Sequence, residues 1–281
     1  MRMKESLTAL AGAVCVVAAA GAAEAACTLK TAVDGTFAPH AMPTLDGKTE
    51  GFNIDLAQEI GKRLGCEVTV TSAQYSGLLP AMQAGTYDFI AAPTTVTEER
   101  AGQMLFTEGY LNTDYQFLTK KGAPEVKSLE ELKGKTISVN KGSAYDAWAR
   151  KMAEQVGWEV ESYGTNTDAV QAVLSGRAFA NVAGQTVIQY AAKRNPQLQL
   201  SYYHSTGLVW SMPFPKGSEE LRNKVENALE CMKKDGTIAA MSEQWFGVTP
   251  KEGDAAVTVY PGYGVPGMPG YDDTAHEPSC G

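Results

Sequence analysis

The chain has 281 residues and carries 24 lysines and arginines against 32 aspartates and glutamates, which gives a formal net charge of −8. Its basic residues are not gathered into a cluster, which argues against a nucleic acid or an anionic membrane surface as partner. This balance favours a small molecule as ligand. The length is sufficient for two modest lobes, each with a hydrophobic core of its own.

Residues 1–25 have the features of a secretory signal peptide. Arg2 and Lys4 form a basic start, an apolar stretch runs from Leu7 to Ala20, and Ala23-Glu24-Ala25 supplies a small-residue cleavage site. No later segment is long and apolar enough to span a bilayer. The sequence therefore predicts an exported, soluble product that begins near Ala26.

Strands and helices alternate in the first part of the mature chain. Gly65 and Gly85 follow the two helices and are typical of helix C-terminal stops. This βαβαβ order predicts a parallel, doubly wound α/β sheet. Its elements are a strand at Leu29–Val33, a helix at Ile54–Leu64, a strand at Val68–Thr71, a helix at Leu78–Ala84 and a strand at Phe89–Ala92.

A second unit of the same kind follows, and two amphipathic helices at 218–234 and 238–246 come after it. From Thr249 onward the chain is rich in Pro and Gly and has no periodicity, which predicts an extended strap or a disordered tail. The elements of the second unit are Thr136–Asn140, Ala144–Val156, Val160–Tyr163, Asp168–Leu174 and Ala180–Ala183, alternately strand and helix.

Four cysteines remain after the signal peptide, and they allow three disulfide connectivities. Cys27 and Cys66 each open a predicted strand, and neighbouring parallel strands place such starts side by side. We therefore favour Cys27–Cys66, which leaves Cys231–Cys280 to fix the tail. A metal site is the competing interpretation, but the sequence contains no CxxC or HxxxH spacing.

Arg100 follows the predicted strand at Phe89–Ala92 and lies within a helix start marked by Thr97-Glu98-Glu99. Ligands of open α/β sheets bind at the carboxyl ends of the strands, and a guanidinium there is suited to a carboxylate. The alternative is a surface ion pair with Glu98 or Glu99, which contributes little to stability.

An ordered series of motifs in residues 27–248 resembles family 3, the polar amino-acid-type periplasmic solute-binding proteins of ABC importers. The matching segments are GFNIDLAQEIGKRLG, YSGLLPAMQAGTYDFIAA, TTVTEER, SLEELKGKTISVNKGSAYD and KKDGTIAAMSEQWFG. One such motif is weak, but the series in this order is specific.

The resemblance implies a periplasmic-binding-protein-like type II fold, with two doubly wound α/β lobes joined by two crossing strands near Thr113–Phe117 and Thr206–Ser211. Lobe 1 comprises 26–114 with 208–250, lobe 2 comprises 115–207, and 251–281 is the tail. Closure of the lobes over a ligand is a signal that a permease can detect. The expected product is a periplasmic monomer that binds a solute, contacts an ABC permease in the inner membrane and has no catalytic residues.

The resemblance also implies a ligand site. Arg100 takes the role of a carboxylate clamp, and the hydroxyls of Thr94 and Thr95 assist it. Phe37 and Tyr75 fall where the family places the faces that sandwich the ligand, although both could equally be core residues. Gly142 and Ser143 fall where lobe 2 contacts an anion at a helix start, although Ser143 could equally be a helix cap.

One departure from the family concerns the ligand's ammonium group. The family places an aspartate where this chain has Gly184, and Phe179 replaces another acid of the same motif. A buried ammonium without a carboxylate is unfavourable. We therefore expect a carboxylate-bearing ligand without an α-ammonium, bulkier than an amino acid because glycine leaves room.

Lys141 could add a second positive charge in the cleft, and Gln185 lies beside Gly184 in sequence. An aromatic polycarboxylate such as pyrroloquinoline quinone fits this set, and a desolvated lysine could add to a quinone carbonyl. No cofactor is required. Two alternatives remain: a cyclohexadienyl-dehydratase-like enzyme, for which the region lacks a general acid, and an accessory protein that docks on a periplasmic dehydrogenase through its tail.

Overall fold

The computed structural model describes residues 27–280, so the predicted signal peptide lies outside the described residues. The strands are β1 Thr28–Val33, β2 Met42–Pro43, β3 Thr49–Glu50, β4 Glu67–Ser72, β5 Thr94–Thr95, β6 Leu105–Phe106, β7 Leu111–Asn112, β8 Tyr115–Lys120, β9 Thr136–Asn140, β10 Glu159–Tyr163, β11 Ala180–Gly184, β12 Leu198–His204, β13 Val209–Ser211 and β14 Pro213–Phe214. The helices are α1 Phe52–Leu64, α2 Tyr75–Gln83, α3 Glu98–Gln103, α4 Ala144–Val156, α5 Asn166–Leu174, α6 Gln185–Arg194, α7 Glu219–Lys234 and α8 Thr237–Phe246. No described helix is both long and apolar enough to span a membrane.

Lobe 2 contains one five-stranded sheet in the order β10-β9-β11-β8-β12. The first three of these strands are parallel, as a βαβαβ unit requires, and β8 and β12 run antiparallel to their neighbours. Helices α4 and α5 begin at hydroxyl caps, Ser143 and Thr165, and α4 ends at Gly157 in the left-handed conformation.

The sheet of lobe 1 is less regular than the sheet of lobe 2. β1 pairs with β4 in parallel, but the predicted strand Phe89–Ala92 is not a regular strand, which corrects that expectation. The segment runs beside β1, where the Thr31 hydroxyl donates to Phe89 O at 2.9 Å and accepts from Ala91 N at 2.8 Å. A side chain therefore replaces part of the backbone ladder, and all four residues of the segment are buried.

The chain passes between the lobes in two adjacent segments, 113–114 after β7 and 205–208 after β12. Thr113 N donates to Leu208 O at 2.9 Å, and Thr206 Oγ1 donates to Thr113 O at 2.6 Å. The two crossings therefore form one hydrogen-bonded ribbon. Such a ribbon positions the lobes so that they face each other across a cleft.

The residues after α8 form an extended strap that packs on lobe 1. The disulfide Cys231–Cys280 ties its end to α7, and Cys27–Cys66 joins the starts of β1 and β4, so both preferred pairings are confirmed. Along the strap, Ala255 N donates to Asn112 Oδ1 at 2.9 Å. Of the two expectations for the tail, the structure shows the strap.

Candidate ligand-binding cleft

A cavity of about 840 Å³ lies between the lobes. Helices α2 and α3 form its lobe 1 wall, and the first two turns of α4 form its lobe 2 wall. Four of the ten predicted ligand-binding residues line it: Tyr75, Arg100, Gly142 and Ser143. Cavities of this size are typical of small-molecule sites.

Arg100 spans the gap between the two walls. Its Nη1 donates to Thr95 O and its Nη2 donates to Gly142 O of lobe 2, each at 3.1 Å. Within residues 27–280 no carboxylate oxygen lies within 4.0 Å of the guanidinium, so the alternative of an ion pair with Glu98 or Glu99 is not what the structure shows. A guanidinium has five N–H donors, so donors remain for an anion in the cavity.

The polar groups at the start of α4 are used within lobe 2. Ser143 Oγ accepts from Asp146 N at 3.1 Å and donates to Asn140 O at 2.6 Å. Gly142 N donates to Asp146 Oδ2 at 3.0 Å. Ser143 is therefore a helix cap at the edge of the cavity, in line with the alternative interpretation of this residue.

Tyr75 and Phe37 occupy different environments. Tyr75 lines the cavity below Arg100, whose Cζ lies 6.0 Å from the ring centroid, and its hydroxyl donates to Thr94 Oγ1 at 3.3 Å. Phe37 is buried outside the cavity and stacks on Tyr145 of lobe 2, with ring centroids 6.3 Å apart and planes at 13°. Thr94 and Thr95 are buried behind the cavity wall, and Thr95 contributes its carbonyl to Arg100.

Gly184 does not leave room for a larger ligand, which corrects that expectation. A Cβ atom at this position would lie 2.5 Å from Trp210 Cη2 and closer still to Cζ2. The indole of Trp210 therefore fills the space beside the glycine. Trp210 is buried, and its Nε1 has no hydrogen-bond partner among the described residues.

Lys141 and Gln185 lie outside the cavity. Lys141 is exposed, and Gln185 begins α6 with its backbone N–H donating to Asp114 O at 2.9 Å. The expected second positive charge at Lys141 is therefore not placed in the cavity. The basic residues that line it besides Arg100 are Arg150 and Lys151, on a face of α4 that sequence reasoning missed.

Buried contacts close the cleft beyond the cavity. His40 Nε2 lies 2.7 Å from Thr186 Oγ1, and Asn140 Nδ2 donates to Asp34 Oδ2 at 2.8 Å. His40 Nδ1 lies 2.9 Å from Asn53 Oδ1. Burial lowers the pKa of His40 to about 4, so the ring is neutral at pH 7. The sequence singled out none of these contacts, because their partners are far apart along the chain.

Comparisons with known proteins agree with the geometry. Residues 29–248 match the family model described as bacterial extracellular solute-binding proteins, family 3. The chain belongs to this family. It is 30% identical over 222 residues to the L-cystine-binding protein TcyJ of Escherichia coli K12, covering 78% of this chain and 83% of that protein. It is 26% identical to an L-arginine-binding protein of Pseudomonas aeruginosa, covering 78% and 87%.

Solved structures show the same two-lobed fold. An ancestral arginine-binding protein bound to arginine aligns with a TM-score of 0.75 and 36% identity, covering 78% of this chain and 98% of that chain. An ancestral amino acid-binding protein, described as a precursor of cyclohexadienyl dehydratase, aligns with a TM-score of 0.72 and 32% identity, covering 78% and 95%. The type II periplasmic binding fold is therefore confirmed. Other curated relatives are named as amino-acid-binding proteins of ABC transporters, and the family match makes this chain a solute-binding protein.

Proposed function

We propose that this protein captures a small carboxylate-bearing solute in the periplasm and, by lobe closure, delivers it to an ABC permease of the inner membrane. The observation that carries the proposal is the position of Arg100. Its guanidinium lines the cavity without a carboxylate partner among the described residues and donates to Gly142 O of the opposite lobe. A ligand carboxylate bound there adds charge-assisted hydrogen bonds at the point where the lobes meet.

We also propose that a standard α-amino acid is not the preferred ligand. Asp146 is the lobe 2 carboxylate that lines the cavity, and both its oxygens already accept hydrogen bonds: Oδ2 from Gly142 N, and Oδ1 from Arg150 Nε and Ser162 Oγ. Glu98 and Glu99 are exposed at the rim, on the same helix as Arg100. An ammonium group therefore has few free acceptors on the wall opposite Arg100.

The size of the cavity, rather than Gly184, supports a ligand larger than an amino acid. An aromatic polycarboxylate such as pyrroloquinoline quinone remains one member of that class, with Arg150 and Lys151 as the additional positive charges. The relatives' ligands, cystine and arginine, define the competing class for the same site.

Isothermal titration calorimetry with the mature protein tests the ligand class. The panel consists of arginine, cystine, glutamine, simple dicarboxylates and pyrroloquinoline quinone. We expect at least one carboxylate without an α-ammonium to bind more tightly than every amino acid tested. Sub-micromolar affinity for a plain amino acid would contradict the ligand class while leaving solute capture intact.

Substitution of Arg100 tests the clamp. Arg100→Lys keeps the charge but loses the planar pair of donors, so we expect affinity for the best ligand of the panel to fall roughly 100-fold. The matched control is Arg177→Lys, an exposed lobe 2 arginine that lies over Tyr163 and outside the cavity. Equal affinities of the two variants would refute the clamp.

Two further measurements separate the alternatives. Turnover of prephenate or arogenate by the purified protein would support the dehydratase alternative, against the binding-protein assignment. Co-purification of a periplasmic dehydrogenase with the full chain, but not with a chain ending at 250, would support the accessory role instead of delivery to a permease.

A further inference from the structure

A cluster of buried ionisable side chains lies between lobe 1 and the C-terminal strap, residues 251–280. Glu108 precedes β7, and Glu226, Glu230 and Lys233 are on α7; all four are buried. One ligand atom from each of the three glutamates lies within 4.8 Å of the others. The strap covers this cluster: Tyr260 N donates to Glu108 Oε2 at 3.0 Å, and Gly264 N donates to Glu226 Oε1 at 2.6 Å.

The ammonium group of Lys233 already binds oxygen atoms of the cluster. Lys233 Nζ lies 2.6 Å from Glu108 Oε1 and donates to Gly109 O at 2.6 Å and to Thr258 O of the strap at 2.7 Å. These three oxygens therefore have a resident cation, which disfavours a metal ion among them. Arg222, the second buried cation, donates to Phe106 O at 3.0 Å and lies 3.8 Å from Glu226 Oε2.

The charges of the cluster leave one carboxylate unbalanced. Three glutamates face two cations, Lys233 and Arg222, and the oxygens Glu226 Oε2 and Glu230 Oε1 are buried without a hydrogen-bond partner among the described residues. An unpaired buried charge is strongly unfavourable. One additional proton makes the cluster neutral.

The geometry of His276 independently places a proton beside Glu230. His276 Nδ1 lies 3.0 Å from Pro261 O, and because a carbonyl can only accept, Nδ1 carries a hydrogen. His276 Nε2 lies 3.0 Å from Glu230 Oε2. This second contact is a hydrogen bond only if a further proton resides on Nε2 or on the Glu230 carboxyl. The geometry of the contact therefore requires one proton within the Glu230–His276 pair.

The remaining charged and titratable groups near the pair are Tyr263 and Asp272 of the strap and Arg222 of α7. The Tyr263 ring stacks on His276 with centroids 3.8 Å apart and planes at 8°, and Arg222 Cζ lies 5.5 Å from the Tyr263 ring centroid. Asp272 closes the strap on itself, with backbone hydrogen bonds to Tyr263 in both directions at 2.8 and 3.0 Å. The strap therefore brings one imidazole and one phenol to the cluster.

We propose that the C-terminal strap is a clasp held on lobe 1 by one proton shared within the Glu230–His276 pair, and that loss of this proton in alkaline solution releases the strap while the Cys231–Cys280 disulfide retains its end. Without the proton, a nitrogen lone pair faces a carboxylate oxygen and the buried cluster carries a net negative charge. Both effects oppose docking of the strap.

The direction of the pH dependence follows from the buried carboxyls. Burial raises the pKa of Glu230 and raises the pKa of Glu226 to about 8. A carboxyl whose pKa is higher in the docked state than in the free state stabilises docking below its free value, and that contribution is lost as the pH rises through the docked value. Docking therefore weakens as the pH rises above the ordinary carboxyl range and through the raised pKa of Glu230.

Hydrogen–deuterium exchange of the full mature chain tests the clasp, with the backbone amides of Tyr260, Tyr263, Gly264 and Asp272 as reporters. The decisive variant is Glu230→Gln, whose side-chain amide donates to His276 Nε2 without a titratable proton. We expect equal strap exchange in wild type and Glu230→Gln at about pH 6, and roughly 10-fold faster exchange in wild type at about pH 9. Comparing the proteins at one pH cancels the intrinsic pH dependence of exchange.

Three controls keep the test decisive. Glu277→Gln alters an exposed carboxylate of the same strap, paired with Lys234 on the surface, and is expected to behave as wild type. Unchanged exchange in β9 of lobe 2 shows that the global fold is intact. His276→Phe retains the stack on Tyr263 but removes both hydrogen bonds, so we expect fast strap exchange at both pH values.

Two results would overturn the clasp. The first is identical strap exchange in wild type and Glu230→Gln at both pH values. The second is protection that follows added calcium or a chelator rather than pH, which would assign the three glutamates to a metal ion.

Discussion

The two walls of the cleft present different kinds of chemistry. The lobe 1 wall presents side chains, chiefly the guanidinium of Arg100 and the ring of Tyr75. The lobe 2 wall presents the start of a helix, where Gly142 and Ser143 are engaged in capping α4. We therefore infer that lobe 1 contributes the carboxylate clamp, while lobe 2 contributes the capped start of α4 together with the side chains of Arg150 and Lys151.

Arg100 connects the two walls by hydrogen bonds to both lobes. Arg100 uses one nitrogen on its own lobe, at Thr95 O, and another on the opposite lobe, at Gly142 O. The lobe 2 group in this contact is a carbonyl, which can only accept. Closure of the cleft and orientation of the guanidinium are therefore linked through a single hydrogen bond.

The largest expected effect is a pH-dependent loss of stability caused by His40, a buried lobe 1 residue that contacts Thr186 of lobe 2. Its pKa in the folded protein is about 4 against 6.5 for a free histidine, with burial as the main cause. The unfolded chain binds the proton more readily, so stability is lost as the pH falls from about 6.5 to about 4, by roughly 3 kcal/mol in total.

Urea unfolding of wild type and His40→Gln across this pH range measures the effect. Glutamine retains one donor and one acceptor for Asn53 and Thr186 but does not titrate, so we expect a shallower loss of stability in the variant. The control is His204→Gln, a partly exposed histidine of β12. Identical pH dependence of wild type and His40→Gln would refute the burial argument.

The second effect concerns Gly184 of β11. The indole of Trp210 packs against this glycine and fills the space that was expected to hold a ligand. Gly184→Ala directs a methyl group into the Trp210 indole, so we expect a loss of about 1–3 kcal/mol in the free energy of unfolding. Adding Trp210→Phe should recover part of that loss. Gly77→Ala, in α2 with no atom near its Cβ position, is the matched control and should not destabilise the protein. A neutral Gly184→Ala would mean that the indole moves aside freely.

Local signals allowed the regular parts of the fold to be predicted from the sequence. β9 and α4 have the predicted bounds, because the cap at Ser143 and the stop at Gly157 are encoded within a few residues of the helix. Phe89–Ala92 was predicted as a strand because its apolar pattern is local. The Thr31 hydroxyl that interrupts its ladder comes from another strand, and no local pattern indicates it.

The ligand site likewise contains features that local sequence predicts and features that depend on distant residues. The position of Arg100 followed from a strand end and a helix start next to each other in sequence. The filling of the space at Gly184 by Trp210 and the contact between His40 and Thr186, 146 residues apart, depend on how the lobes come together. Lys141 shows the reverse error, since proximity to Gly142 in sequence did not bring its side chain into the cavity.

The smallest expected effect is that of replacing Ser143, the helix cap on the lobe 2 wall. Ser143→Ala removes a helix cap, so we expect a loss of about 1 kcal/mol in the free energy of unfolding, as for the matched cap variant Thr165→Ala on α5. Because the Ser143 hydroxyl both donates and accepts within lobe 2, the affinity for the best ligand of the calorimetric panel should change less than about 3-fold in either variant. Equal unfolding losses with a much weaker affinity for Ser143→Ala alone would instead assign this hydroxyl to the ligand, and the lobe 2 wall would then select its ligand as lobe 1 does.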